Sequence, residues 1–114
     1  MKKLSIIIPC YNEVNNLKHI IDKLFLLSKY HDNLEVILVD NGSTDSTYDY
    51  ISDQRKRYDY LKIVRVKKNI GYGHGIMEGV RISSGEIIAW THADMQTDLA
   101  DVLESYKQFV NHPS

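Results

Sequence analysis

The chain has 114 residues, 43% apolar and 25% charged, with a formal net charge of -1, which fits one small globular domain holding a single sheet and a few helices. Positive charge is not in excess, so composition gives no electrostatic case for nucleic acid as a partner. The lone cysteine, Cys10, excludes an internal disulfide and a thiolate zinc cluster, and it suits a reducing compartment.

Met1-Lys2-Lys3 precedes only about five apolar residues, too few for a signal peptide or a membrane span. The chain is therefore expected to be cytoplasmic, with a longer form able to work at the inner face of a membrane. Residues 4–8 are a β-branched run closed by Pro9, which predicts a buried strand with Cys10 as an inert thiol just beyond it. Leu17, Ile20, Ile21, Leu24 and Phe25 recur at helical spacing and predict one core-facing stripe. Residues 34–39, rich in Val, Ile and Leu, predict a second strand.

Asn41-Gly42-Ser43-Thr44-Asp45 carries turn and capping chemistry, with Asp45 expected as an acid in the first turn of a helix reaching about Arg57. Residues 61–66 alternate apolar and polar side chains, as a strand at an edge or exposed on one side does. Gly71-Tyr72-Gly73-His74-Gly75 opens a helix to about Ser83, and residues 86–90 form a fourth strand ending in Trp90, a core or pocket-wall residue. Asp98 to Asp101 resembles a cap before a last stripe of Leu99, Val102, Leu103, Tyr106 and Val110. Repeats, low-complexity tracts and linkers are absent from the sequence, so residues 1–114 read as one unit.

Strands alternating with helices predict an α/β fold: a mostly parallel sheet of about four strands with flanking helices. Ligands in such sheets bind beyond the carboxyl ends of the strands, where strand order reverses. Polar groups gather at those ends, in Pro9-Cys10-Tyr11-Asn12-Glu13, in Asp40-Asn41 and in Thr91-His92-Ala93-Asp94-Met95-Gln96. Asp40 and Asn41 either read a nucleobase through acceptor and amide groups or form a side-chain turn before the helix. Lys67, Asn69 and the glycines at 71, 73 and 75 either bring backbone N–H groups to an anion or form a plain turn. This stretch lacks Gly-Lys-Ser/Thr and misses the dinucleotide fingerprint by one position. Asp94 and Gln96 offer two hard oxygen ligands for Mg or Mn beside a diphosphate. Asp98 is a third ligand or a helix cap, and His92 ligates, faces a phosphate or packs.

Taken together, residues 5–13, 39–45, 69–73 and 93–96 resemble, in order and spacing, the donor half of the family 2 inverting glycosyltransferases of A-type fold. The Asp-x-Gln stretch is most similar to the branch that moves a sugar from a nucleotide to a polyprenyl phosphate, as dolichyl-phosphate mannose synthases do. The resemblance implies a UDP or GDP sugar as donor and Mg or Mn held by Asp94 and Gln96. It places Pro9, Tyr11 and Glu13 on the wall of the nucleoside pocket, Asp40 and Asn41 on the base, and Lys67, Asn69, Gly71, Gly73, His92 and Ala93 near the donor. The acceptor stays open, a lipid phosphate being the one that branch would supply.

Three departures accompany the resemblance. His92 stands where the first acid of an Asp-x-Asp pair is usual, and Asn41 replaces the second acid of an Asp-Asp tip. The acceptor half, about another hundred residues with the catalytic base, has no counterpart in this sequence, so that base is unassigned. The chain is thus expected to be the donor-binding part of a longer transferase, inactive alone. A non-catalytic nucleotide-binding or assembly module is the rival reading. A flavodoxin-like or response-regulator domain is disfavoured, since an acidic pair after the first strand and a lone lysine after a late strand are missing. Apolar surface or an open strand edge makes self-association an expectation.

Overall fold

The computed structural model describes residues 3–29 and 31–91. Their elements run β1 (Leu4–Cys10), α1 (Val14–Ser28), β2 (Leu34–Asn41), α2 (Thr47–Arg55), β3 (Leu61–Val66), α3 (Tyr72–Ile82) and β4 (Ile87–Trp90). The strands form one parallel sheet in the order β3-β2-β1-β4. The expected α/β architecture is present, with β3 at an edge as its alternating pattern predicted.

Period-two geometry divides β1 between two helical layers. Leu4, Ile6, Ile8 and Cys10 join Val36 and Leu38 beneath Leu17, Ile20, Ile21 and Leu24 of α1 and Ile51 of α2. Ile7, Ile37 and Val39 face the other way, against Val80 of α3. Both faces of the central strands are covered, so β1 is buried at every position, and its sequence is apolar without alternation. Each fully buried aliphatic side chain contributes roughly 1.5–3 kcal/mol relative to exposure. On the α3 face, helix and sheet approach closely. A Cβ at Gly79 would lie 2.5 Å from Ile7 Cγ2, so glycine there sets how near α3 sits.

The first two strands run further than their sequences predicted. Pro9 and Cys10 remain in β1, and Asp40 and Asn41 remain in β2, because Pro9 pairs with Val39 and Cys10 with Asp40. Proline fits inside β1 because alternate residues of a parallel strand bond to opposite neighbours. Ile7 O accepts the Thr91 N–H at 3.1 Å on the β4 side, and Pro9, two residues on, would be the next donor toward that side. Phe25, expected in the core stripe, lies outside it, and of the two readings of Trp90, core or pocket wall, the core one does not hold. Phe25 is 38% exposed and packs on Tyr58, with centroids 5.6 Å apart. Trp90 is 57% exposed on the α3 face of β4.

A buried ionic cluster closes the amino end of the sheet. Glu35, 3% exposed, accepts hydrogen bonds from Ser5 Oγ at 2.7 Å, Ser84 N–H at 2.9 Å and Ser84 Oγ at 2.9 Å. It also pairs with Lys62, and with Lys3 at 3.5 Å. Burial alone would raise the Glu35 carboxyl. The Lys62 bond, followed by those from Ser84 and Ser5, outweighs burial and lowers the pKa from 4.5 to about 2.

Candidate functional site

Chain order brings β2 and then β3 to one side of β1 and returns β4 to the other side. Strand order therefore reverses between β1 and β4, and the position past the carboxyl ends at such a reversal is where ligands usually bind in a parallel sheet. His92, Ala93, Asp94 and Gln96, expected to hold donor and metal, follow β4 directly in sequence and lie outside the described residues, as does Asp98. Among the described residues, three or more His, Cys, Asp or Glu side chains nowhere group so as to hold a metal.

The β1 and β2 loops are bolted together by a residue to which sequence reasoning assigned no role. Asn12 adopts φ 51°, a left-handed conformation that asparagine tolerates better than most residues. Its backbone N–H donates to Ser43 Oγ at 3.0 Å, and its Oδ1 accepts the N–H groups of Thr44 at 2.9 Å and Asp45 at 3.3 Å. Glu13, the N-cap of α1, donates its N–H to Thr47 Oγ1 at 3.1 Å. Tyr11 is left 44% exposed on this rim, while Pro9 is buried beneath it.

Asp40 performs the turn role that was one of its two expected readings. Its Oδ1 accepts the Ser43 N–H at 3.1 Å, and the side chain is fully buried. Its Oδ2 accepts no hydrogen bond but lies 3.6 Å from Arg65 Nε, whose guanidinium stacks 4.2 Å above the Tyr48 ring. Arg65 is a site-rim cation that sequence reasoning missed, because only the β2–β3 register places it beside Asp40. Asp45 accepts the Thr47 N–H at 2.8 Å from just before α2, and Asp49 is the acid of the first turn, a shift from the expected placement.

The glycine-rich segment joins the same edge. Asn41 Nδ2 donates to Gly71 O at 3.2 Å and to Asn69 Oδ1 at 3.4 Å. Gly42 has φ 78°, and a Cβ there would lie 2.5 Å from Asn69 N, so this crossing has no room for a side chain and a backbone angle that favours glycine. Lys67 is exposed on the segment leaving β3, and Gly73 is exposed in the first turn of α3. Cys10 is inert as expected: it is 1% exposed, donates from Sγ to Ile8 O at 3.4 Å, and burial, with Glu13 and Asp40 nearby, pushes the thiol pKa up.

Comparison with known proteins places this edge in context. The glycosyl transferase family 2 profile matches residues 5–114. The undecaprenyl-phosphate 4-deoxy-4-formamido-L-arabinose transferase of Yersinia pestis is 34% identical over 98 residues, covering 84% of this chain and 30% of that protein. The poly(ribitol-phosphate) beta-glucosyltransferase of Bacillus spizizenii is 30% identical over 93 residues, covering 81% of this chain and 15% of its own. A mannosyltransferase of Pyrobaculum calidifontis, solved with GDP-Man and Mn2+, superposes with a TM-score of 0.84 at 26% identity, over 98% of this chain and 33% of that one. The chain thus spans a third or less of the lengths of these relatives.

Proposed function

The chain belongs to glycosyl transferase family 2 and has the A-type nucleotide-sugar transferase fold, and from that premise we propose that residues 1–114 bind a nucleotide-diphospho-sugar with a divalent ion and serve sugar transfer in a longer protein. The observation that carries this reading is the linkage of the β1, β2 and β3 tips into one rim beside the β1/β4 reversal. Asp40 Oδ2, buried without a hydrogen bond, is the acceptor assigned to a base imino hydrogen, with Asn41 beside it. Pro9, Tyr11 and Glu13 line the nucleoside side, and Lys67, Asn69, Gly71, Gly73, His92 and Ala93 approach the ribose and diphosphate.

Asp94 and Gln96 supply a carboxylate and a carboxamide oxygen, a donor set suited to Mg or Mn. Mn2+ accompanies GDP-Man in the Pyrobaculum mannosyltransferase, which supports the same ion class here. When bound, the ion would offset charge developing on the leaving nucleoside diphosphate. The residues of this chain orient the donor so that its anomeric carbon is open to direct displacement. A polyprenyl phosphate is the proposed acceptor, as the name of the Yersinia relative supports. Among the described residues, no helix is long and apolar enough to cross a membrane. The proposed location is the cytoplasm, at the inner membrane face where a lipid acceptor would be met.

Calorimetric titration of UDP-glucose and GDP-mannose, with and without Mn2+, tests the proposal. Binding of one donor that tightens with Mn2+, and loses that dependence in Asp94→Ala, is expected. A folded sample that binds neither donor in either condition refutes it. Binding that ignores Mn2+ and Asp94→Ala favours the non-catalytic module, which His92 at the usual place of an acid supports.

A further inference from the structure

Asn41 is the last residue of β2 and only 4% exposed. Its amide nitrogen reaches Gly71 O at 3.2 Å and Asn69 Oδ1 at 3.4 Å, while Asn69 Oδ1 accepts the Gly71 N–H at 3.0 Å. Both polar groups of Gly71 are therefore held by a chain of two carboxamides anchored in the sheet. Gly71 is the N-cap of α3, so fixing it fixes where the first turn of α3 meets the carboxyl edge. The packing permits little slack. A Cβ at Gly75 would lie 3.1 Å from Asn41 Nδ2, and one at Gly42 would lie 2.9 Å from the Lys68 carbonyl carbon.

With Asn69 Oδ1 turned to the Gly71 N–H as it is here, the residue at position 41 needs a donor, although an acid is usual at this tip in the family. A carboxylate of the same volume would set oxygen against Gly71 O and Asn69 Oδ1, two further acceptors. Relief would require Asn69 to turn its amide over, which forfeits its bond from the Gly71 N–H. We propose that Asn41 is a positioning residue of the donor site: its neutral amide ties residues 69–75 to the tip of β2 and presents that segment to the donor. The proposal rests on the donor-binding reading above for its consequence, though not for its geometry.

The test compares the parent with Asn41→Ala and Asn41→Asp by hydrogen exchange of the Gly71 and Gly75 amides, between pH 5 and 8, and by UDP-glucose and GDP-mannose titration with Mn2+. Both variants should lose about tenfold in amide protection and in donor affinity at pH 7.5, as expected for a missing hydrogen bond. Burial beside the Asp40 carboxylate, facing two acceptor oxygens, raises the Asn41→Asp carboxyl above the ordinary carboxylate range. Toward pH 5 it therefore gains a proton and can donate again, so its protection and affinity should recover while those of Asn41→Ala stay low. A purely volumetric role would give the two variants the same pH profile, and that result overturns the proposal. Parent-like exchange in Asn41→Ala overturns it as well, and so does looser exchange with unchanged donor affinity. If the parent binds neither donor, the donor-site reading fails and the positioning role falls with it, while exchange still reports whether the tether exists.

Discussion

Glu35→Gln isolates the ionic cluster at the amino end of the sheet. The substitution keeps side-chain volume and removes the charge that Lys62 and Lys3 face. The Glu35 pKa is about 2 in the folded chain against an ordinary 4.5. At about 1.4 kcal/mol for each pKa unit, that gap sets a ceiling of roughly 3 kcal/mol of stability, which solvent screening of the half-exposed lysines lowers. Because the folded value is the depressed one, the contribution is complete above pH 4.5 and is lost as pH falls toward 2. Other carboxylates also titrate in this window, so the informative quantity is the difference between parent and variant. Denaturant unfolding followed by circular dichroism at pH 7, 5, 4, 3 and 2 should show Glu35→Gln less stable by about 2–3 kcal/mol at pH 7. The two curves should converge toward pH 2. Parallel curves between pH 4.5 and 2.5, or equal stabilities at pH 7, would refute the assignment of a strongly held carboxylate.

Gly42→Ala should cost about 2–4 kcal/mol in the same unfolding assay, since the backbone is at φ 78° and the new methyl meets the Asn69 backbone rather than a yielding side chain. Gly79→Ala should cost about 1–3 kcal/mol, because the new methyl meets the buried Ile7 Cγ2 and Val39 Cγ2, a clash that alanine's helix preference offsets only in part. Ile51→Ala should cost roughly 2–5 kcal/mol and loosen α2, whose buried residues are Thr47 and Ile51 alone. Cys10 should resist thiol reagents at pH 8 until denaturant unfolds the sheet, and rapid labelling of the native protein would contradict its burial.

Among the described residues, strand and helix identities were legible because β-branched runs and helical stripes alternate, and burial largely followed from those periods, while the helical stripe expected from Leu99 to Val110 lies outside them. Strand ends were less legible. Pro9 reads locally as a stop, yet its missing N–H falls on the side where pairing with β2 does not need it. Asp40 and Asn41 read as loop chemistry while the ladder to β3 carries them on as strand. Phe25 satisfied the helical spacing, but its position faces Tyr58 at the rim rather than the core. The Glu35 cluster was invisible to a linear reading, since its partners Ser5, Lys62 and Ser84 come from β1, β3 and the turn after α3. At the site, the clustering of polar tips was foreseeable from the parallel topology. The specific ties through Asn12 and Asn41 depend on a left-handed backbone angle and on which amide atom faces which carbonyl.

The two hems of this sheet are stitched with different thread. Lysine against carboxylate gathers one, whereas the ties between loops at the other run through neutral amides and hydroxyls, with the Asp40–Arg65 pair beside them. Dissolved ions screen the lysines at their half-exposed ends and have no net charge to act on across the amide ties. Raising ionic strength should therefore slacken the hem remote from the ligand while leaving the rim that meets it taut.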